Sequence, residues 1–380
     1  MRIAAVLLVS IAVVSARAQV GPLNLGRHQD VSARAMALGG SFTAIANDFS
    51  ALYYNPAGLS SIRKHEAQFT LEGSFLQGKG RTGAFPSGKG SQENLGVQSF
   101  GLVLPVPTER GGLSFSFGSF SARTFSDLLK FEDALTAGRG PYEYRAEGDL
   151  TQYRAGMAVD LSPDAVFGLA LGYVNGEERI DIQDVPASRY LRSYGGFNLE
   201  PALLFKVTPR WRLGVSLVVF ERFTVNETYQ EPGEKSLQEE YEVRHPLQMK
   251  LGLGYQGPGY LIAADYKAFN WSNYRIGLHD GDFPENPGYE NEQAASIGSE
   301  MLLRPLPVLL RAGYAYNSLV GPDLDPVYNI HRGSLGVGFL LGGAVELSAA
   351  YSLGFWEAES GAAYSENREH RGLLTFGYRY

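Results

Sequence analysis

The chain has 380 residues, a formal net charge of -7 and no cysteine. Without cysteine, disulfides, thiolate metal sites and cysteine nucleophiles are excluded. The acidic balance argues against nucleic acid, whose phosphates demand a basic surface. Glycine stands at 46, tyrosine at 22 and phenylalanine at 21, yet the mean hydropathy is only -0.14. A helical membrane protein would be far more apolar, whereas a membrane-spanning strand needs apolar side chains only on alternate positions.

The first eighteen positions, 1–18, read as an export signal. Arg2 supplies the positive start, Ile3 to Val14 an apolar stretch too short to span a bilayer, and Ala16-Arg17-Ala18 a small-residue cleavage site. The mature chain is expected to begin at Gln19.

Residues 19–64 do not alternate. They are rich in small residues and half apolar, so they are expected to be buried as a hatch. Asp48 suits the N-cap of a short helix through Phe49, Leu52 and Tyr54. Pro56 should end it, because a proline pushes the preceding Asn55 out of the helical region.

Residues 65–380 alternate with period two, the mark of strands. Trp211, Leu213, Val215, Leu217 and Val219 share one face, against Arg212, Gly214 and Ser216. About fourteen such segments are expected, an even number as in single-chain bacterial barrels. They begin near Ala67, Leu95, Gly112, Thr151, Ala165, Gly195, Trp211, Glu242, Tyr260, Ala295, Pro307, Arg332, Ala344 and Arg371. Tight turns such as Ser162-Pro163-Asp164 alternate with longer polar stretches such as Gln77 to Asn94 and Arg123 to Asp149, which read as loops. Short turns on one side and long loops on the other fit an outer-membrane barrel with its short side periplasmic. The fold expected is all-β, a transmembrane antiparallel barrel plugged by the hatch. A lumen this wide cannot be filled by its own side chains. In the last strand Phe376, Tyr378 and Tyr380 share a face and end the chain on an aromatic, which resembles the signal read by the barrel-assembly machinery.

Two stretches of the hatch carry a resemblance: Ala33-Arg34-Ala35-Met36-Ala37-Leu38-Gly39-Gly40-Ser41-Phe42, and Asn47 through Leu59 with Asn55-Pro56-Ala57-Gly58 at its centre. They resemble the N-terminal hatch of the FadL/TodX family, importers of long-chain fatty acids and aromatic hydrocarbons. The resemblance implies a barrel closed by the hatch, a gating role for Asn55, Pro56, Ala57 and Gly58, and lateral release of ligand into the membrane beside an inward kink in the third strand. That strand reads as Gly112 to Ser121, with Gly118 as its kink candidate. The Leu52-Tyr53-Tyr54-Asn55-Pro56-Ala57-Gly58 form is also shared with related barrels that serve protein secretion as shuttles or attachment partners, the alternative reading.

No catalytic set stands out, and the six histidines have no metal-ligand spacing. Neither enzyme activity nor a cofactor is expected. On the presumed inner face, Phe120 follows Ser114, Ser116 and Gly118; Val218 and Phe220 follow Arg212 and Ser216; Phe269 follows Asp265 and Lys267. These four apolar residues are the expected ligand lining in the outer half of the lumen, with packing against the hatch or loops as the equal alternative. The expected partners are a hydrophobic small molecule, outer-membrane lipid and the assembly machinery, with the chain a monomer in the bacterial outer membrane.

Overall fold

A computed structural model describes residues 27–81, 87–131, 142–183, 187–245, 247–273, 275–278, 291–319, 328–360 and 363–380. The export signal and the start at Gln19 lie outside them.

The alternating segments form the wall. In chain order they are β1 (Glu66–Arg81), β2 (Gly88–Val106), β3 (Leu113–Phe131), β4 (Tyr142–Ser162), β5 (Ala165–Gln183) and β6 (Ser188–Lys206). Next come β7, in two pieces (Trp211–Val218 and Phe220–Gln230), and β8, also in two (Leu237–Arg244 and Gln248–Gly257). Then follow β9 (Tyr260–Phe269, continued by Arg275–Leu278), β10 (Glu292–Leu303), β11 (Val308–Leu319), β12 (Tyr328–Leu341), β13 (Val345–Ser360) and β14 (Ala363–Arg379). Neighbours pair antiparallel, and β14 pairs back onto β1 from Tyr364↔Arg81 to Arg379↔Glu66, closing a 14-stranded barrel. The last residue takes part: the Tyr380 N–H donates to the His65 carbonyl oxygen at 3.0 Å.

The outward face has the character of a lipid-facing surface. Phe69, Phe117, Leu171, Ile297, Leu335 and Leu374 are large, apolar and exposed. Aromatic rings mark two levels. Near the short turns Tyr380 stacks on His65 at 5.3 Å, and Trp211 meets Tyr255 at 4.8 Å. Nearer the long connections Tyr173 packs on Phe197 at 5.1 Å, and the Tyr351 hydroxyl lies 2.7 Å from His370 Nδ1. Such belts suit the two membrane–water boundaries.

The strands are longer than their sequence pattern. β4 has 21 residues, whereas a tilted strand crosses the hydrocarbon in about 9–11. The stretches read as loops are largely strand: β1 runs to Arg81 before β2 starts at Gly88, and β3 runs to Phe131 before β4 starts at Tyr142. There the wall stands beyond the lipid level, so outward positions are polar as well and the alternation that betrays a strand fades.

Residues 27–64 occupy the barrel interior. Ser32 N-caps α1 (Ala33–Ala37), accepting the Ala35 N–H at 3.3 Å. Asp48 Oδ1 accepts the Ser50 N–H at 2.9 Å at the start of α2 (Ala51–Tyr54). Asn55 is extended, and a 3₁₀ turn (Pro56–Ser61) follows. Val31, Leu38, Phe42, Phe49, Leu52 and Leu59 are fully buried in one core with wall residues such as Val103 and Phe120. Polar ties fix the plug laterally. Asp265 Oδ2 on β9 accepts from the Phe42 N–H (3.0 Å), the Thr43 N–H (2.9 Å) and the Thr43 hydroxyl (2.6 Å). Arg34 Nε lies 2.9 Å from Glu300 Oε2 on β10. All three Asp265 bonds fall on one oxygen; the other, Oδ1, is buried without a hydrogen-bond partner among the described residues.

Candidate functional site

The Asn-Pro-Ala-Gly stretch is seated on the wall. Asn55 is fully buried; its Nδ2 donates to the Thr43 carbonyl oxygen at 2.7 Å and to that of Leu203 at 3.3 Å, while Oδ1 accepts the Ala57 N–H at 3.0 Å. One side chain thus joins two parts of the hatch to β6. At Gly168 on β5, an added Cβ would lie 2.1 Å from the Ala57 nitrogen, so backbone packs directly on backbone there. Asn55 and Pro56 therefore face β5 and β6, away from the third strand.

The wall splits between β2 and β3. The ladder runs from Val106↔Leu113 to Ser99↔Phe120 and resumes only at Lys89↔Lys130 and Gly88↔Phe131. Each strand carries a bulge where they part. Gln98 drops out of the β1–β2 register and Ala122 out of the β3–β4 register. Hatch residues enter the cleft. Arg27 and His28 pair with Thr124 and Arg123, and the Gln29 N–H donates to the Ala122 carbonyl oxygen at 2.9 Å. Gln98 Nε2 bridges the split, 2.7 Å from the Ser121 carbonyl oxygen and 3.0 Å from that of Asp30. Outside it, Leu95 is 84% exposed.

Gly118 is not the kink. It lies in regular pairing opposite Gly101, and the split begins beyond Phe120. Added Cβ atoms at Gly101 and Gly118 would lie 2.3 Å and 2.2 Å from the Phe49 ring. These glycines make room for a hatch aromatic.

Above the hatch lies an apolar cluster of packed side chains. Phe125 on the unpaired part of β3 clusters with Leu150, Val174, Phe223, Val225 and Trp271, and Phe269 joins them. Below, between hatch and wall, a cavity of about 100 Å³ is lined by Val218, Phe269 and Tyr53, and by charged side chains including Arg123, Arg154, Glu200, Glu221 and Lys250. Dry cavities that take benzene are roughly 150 Å³, and sites for larger ligands run to several hundred. In this conformation the space is too small for a hydrocarbon.

Buried ion pairs set the electrostatics. Arg154 Nη2 is 2.5 Å from Glu200 Oε2, whose other oxygen meets Lys250 Nζ at 2.8 Å. Arg123 Nη2 is 2.8 Å from Glu221 Oε2, and Gln248 Nε2 reaches the same oxygen at 3.1 Å.

The four expected lining residues fare differently. Val218 and Phe269 line the cavity. Phe120 is fully buried and stacks on Phe49 at 5.1 Å, packing the hatch rather than facing open space. Phe220 points outward and is 45% exposed. The break at Val219 shifts the alternation, so Glu221 and Phe223 face inward after Val218. Sequence reading missed Arg123, placed at the start of a loop, and most of the apolar cluster, whose strands lie beyond the alternating region. Phe376, Tyr378 and Tyr380 are exposed along β14.

No family model matches the chain. No curated protein matches it by sequence either. Solved structures do. The P. putida toluene transporter TodX superposes with a TM-score of 0.69 at 15% identity, covering 92% of this chain and 99% of TodX. A Pseudomonas aeruginosa FadL homologue gives 0.71 at 14% identity, over 93% and 99%. The Ralstonia pickettii toluene transporter TbuX gives 0.65 at 14% identity, over 92% and 98%. The chain has the FadL/TodX-type barrel fold.

Proposed function

We propose that this protein is an outer-membrane channel for passive uptake of hydrophobic small molecules, long-chain fatty acids or aromatic hydrocarbons. The ligand partitions into the apolar cluster by parting its side chains, and its binding favours a hatch arrangement in which residues 27–31 leave the split. It then passes sideways between β2 and β3 into the membrane. This is a population shift: the ligand must bind the open arrangement better than the closed one. The observation that supports the reading is that the apolar cluster borders the split, since Phe125 belongs to both. Hatch gating by Asn55-Pro56-Ala57-Gly58, export by the 1–18 signal, assembly through the terminal aromatics and action as a monomer belong to the same reading.

The test is uptake of toluene and of a long-chain fatty acid by cells lacking their own importer, with and without this gene. The protein should be recovered in the outer-membrane fraction, beginning at Gln19, with heat-modifiable gel mobility. Recovery in the soluble periplasm would end the reading. Loss of protein export on deletion, without any uptake, would move the assignment to a secretion partner.

A further inference from the structure

The chain carries a net charge of -7, yet one arc of the short-turn rim has the opposite sign. Three connections lie side by side on the stretch of wall from β6 to β11: 206–211, 255–260 and 302–307. They hold Lys206, Arg210 and Arg304 and no aspartate or glutamate. None of these three cations has an ion-pair partner among the described residues. Lys206 Nζ donates to the Pro163 carbonyl oxygen at 3.2 Å, and Arg210 Nη1 to the Tyr255 hydroxyl at 3.4 Å, which leaves most of the guanidinium donors unused.

Between the cations stands a row of rings. Trp211 on β7, Tyr255 on β8 and Tyr260 on β9 follow one another, with centroids 4.8 Å and 5.9 Å apart. The fold makes room for the row: an added Cβ at Gly257 would lie 2.3 Å from the Tyr260 ring. The turn that carries Arg210 is fixed as well, because Thr208 Oγ1 accepts the Arg210 and Trp211 N–H groups at 3.2 Å and 3.0 Å. Val207 and Leu306, on two of these turns, are apolar and exposed. Aromatic rows mark the depth of lipid headgroups, and cations beside them meet phosphates.

Resting on the outer-membrane placement proposed above, we propose that this arc binds the headgroup of an anionic glycerophospholipid in the periplasmic leaflet. The phosphodiester accepts from Arg210 and Lys206, its acyl chains lie along Trp211 and Tyr255, and Arg304 holds a second head beyond Tyr260. A guanidinium with free donors suits a phosphate in two-pronged fashion. Charge makes the choice between lipids. A zwitterionic head brings its own ammonium group to an arc that has no carboxylate to receive it.

The experiment uses the full mature chain in detergent micelles, its folding checked by heat-modifiable gel mobility. Equal concentrations of phosphatidylglycerol, phosphatidylcholine and lipid A are added, and bound lipid is counted by native mass spectrometry. Wild type should retain phosphatidylglycerol over phosphatidylcholine by about tenfold, and by less at high salt. The triple variant Lys206→Gln, Arg210→Gln, Arg304→Gln should bring the ratio near one. Lys64→Gln with Arg110→Gln, on other short turns of the same rim, should leave it unchanged. Should the triple variant fail to fold, Arg210→Gln alone is read, with a fall of about twofold expected. Equal retention of the two phospholipids by folded wild type, or a preference that survives the triple variant, overturns the site. Preferential retention of lipid A overturns its assignment to a glycerophospholipid. These results leave the uptake reading intact, since uptake of toluene or fatty acid by cells carrying the triple variant should match wild type. Absence of the protein from the outer membrane overturns both.

Discussion

The Gln29 N–H donates to the carbonyl oxygen of Ala122, the residue that falls out of the β3–β4 register. A bulge frees a backbone acceptor, and the hatch supplies the donor that the neighbouring strand no longer offers. Backbone groups in hydrocarbon must be satisfied from within the protein. The hatch is therefore part of the wall here as well as a plug in the lumen.

That relationship can be locked. The chain has no cysteine, and Arg27 and Thr124 are register partners across the hatch–β3 contact. In the double variant Arg27→Cys, Thr124→Cys, oxidation should abolish uptake of hydrophobic compounds, and reduction should restore it. Uptake that persists in fully crosslinked protein would show that the ligand leaves elsewhere.

Asn55→Ala removes the donor to Thr43 and Leu203 and the acceptor of Ala57. Each buried partner left unsatisfied costs about 1–3 kcal/mol. The barrel should still fold, because its ladder is untouched, but the hatch should loosen. Cells carrying the variant should become more sensitive to large antibiotics that the outer membrane normally excludes. Wild-type sensitivity together with wild-type uptake would deny Asn55 a gating role.

Gly118 and Phe49 should behave as a coupled pair. Gly118→Ala drives a Cβ into the Phe49 ring and should lower the thermal stability of the folded barrel. Phe49→Ala should cost less in the Gly118→Ala background than in wild type, because it removes the ring part of the clash and leaves only the contact with the Phe100 carbonyl oxygen. Strict additivity in a double-mutant cycle would contradict the contact.

The terminal strand yields a fourth expectation. Replacing Phe376, Tyr378 and Tyr380 by alanine should reduce folded barrel in cells while leaving refolding of purified protein into detergent largely unaffected. A normal cellular yield would remove the assembly-signal role from these residues.

The fold was legible because lipid imposes a simple rule on the outward face. Trp211, Leu213 and their counterparts repeat it wherever the wall crosses the apolar band. The rule fails where lipid ends, which is why the upper strands read as loops and why Arg123 and Phe125 escaped notice. It also fails at bulges. One irregular position, Val219, turned Phe220 from a presumed lumen residue into a surface one. Glycines carry little directional information in sequence, so Gly118 looked like a hinge although its role is to admit Phe49. Asn55 was recognisable as a motif, but its partner Leu203 is distant in sequence and no local pattern points to it.

The closure at Tyr380 and His65 bears on the order of biogenesis. The hatch precedes the wall in the chain, and Tyr380 seals the seam at His65, where the plug hands over to β1. A plug tied to nearly every side of the wall cannot be threaded into a finished cylinder. It must be wrapped: the hatch acts as a mandrel around which the sheet curls, and the final hydrogen bond shuts the cylinder on contents already in place.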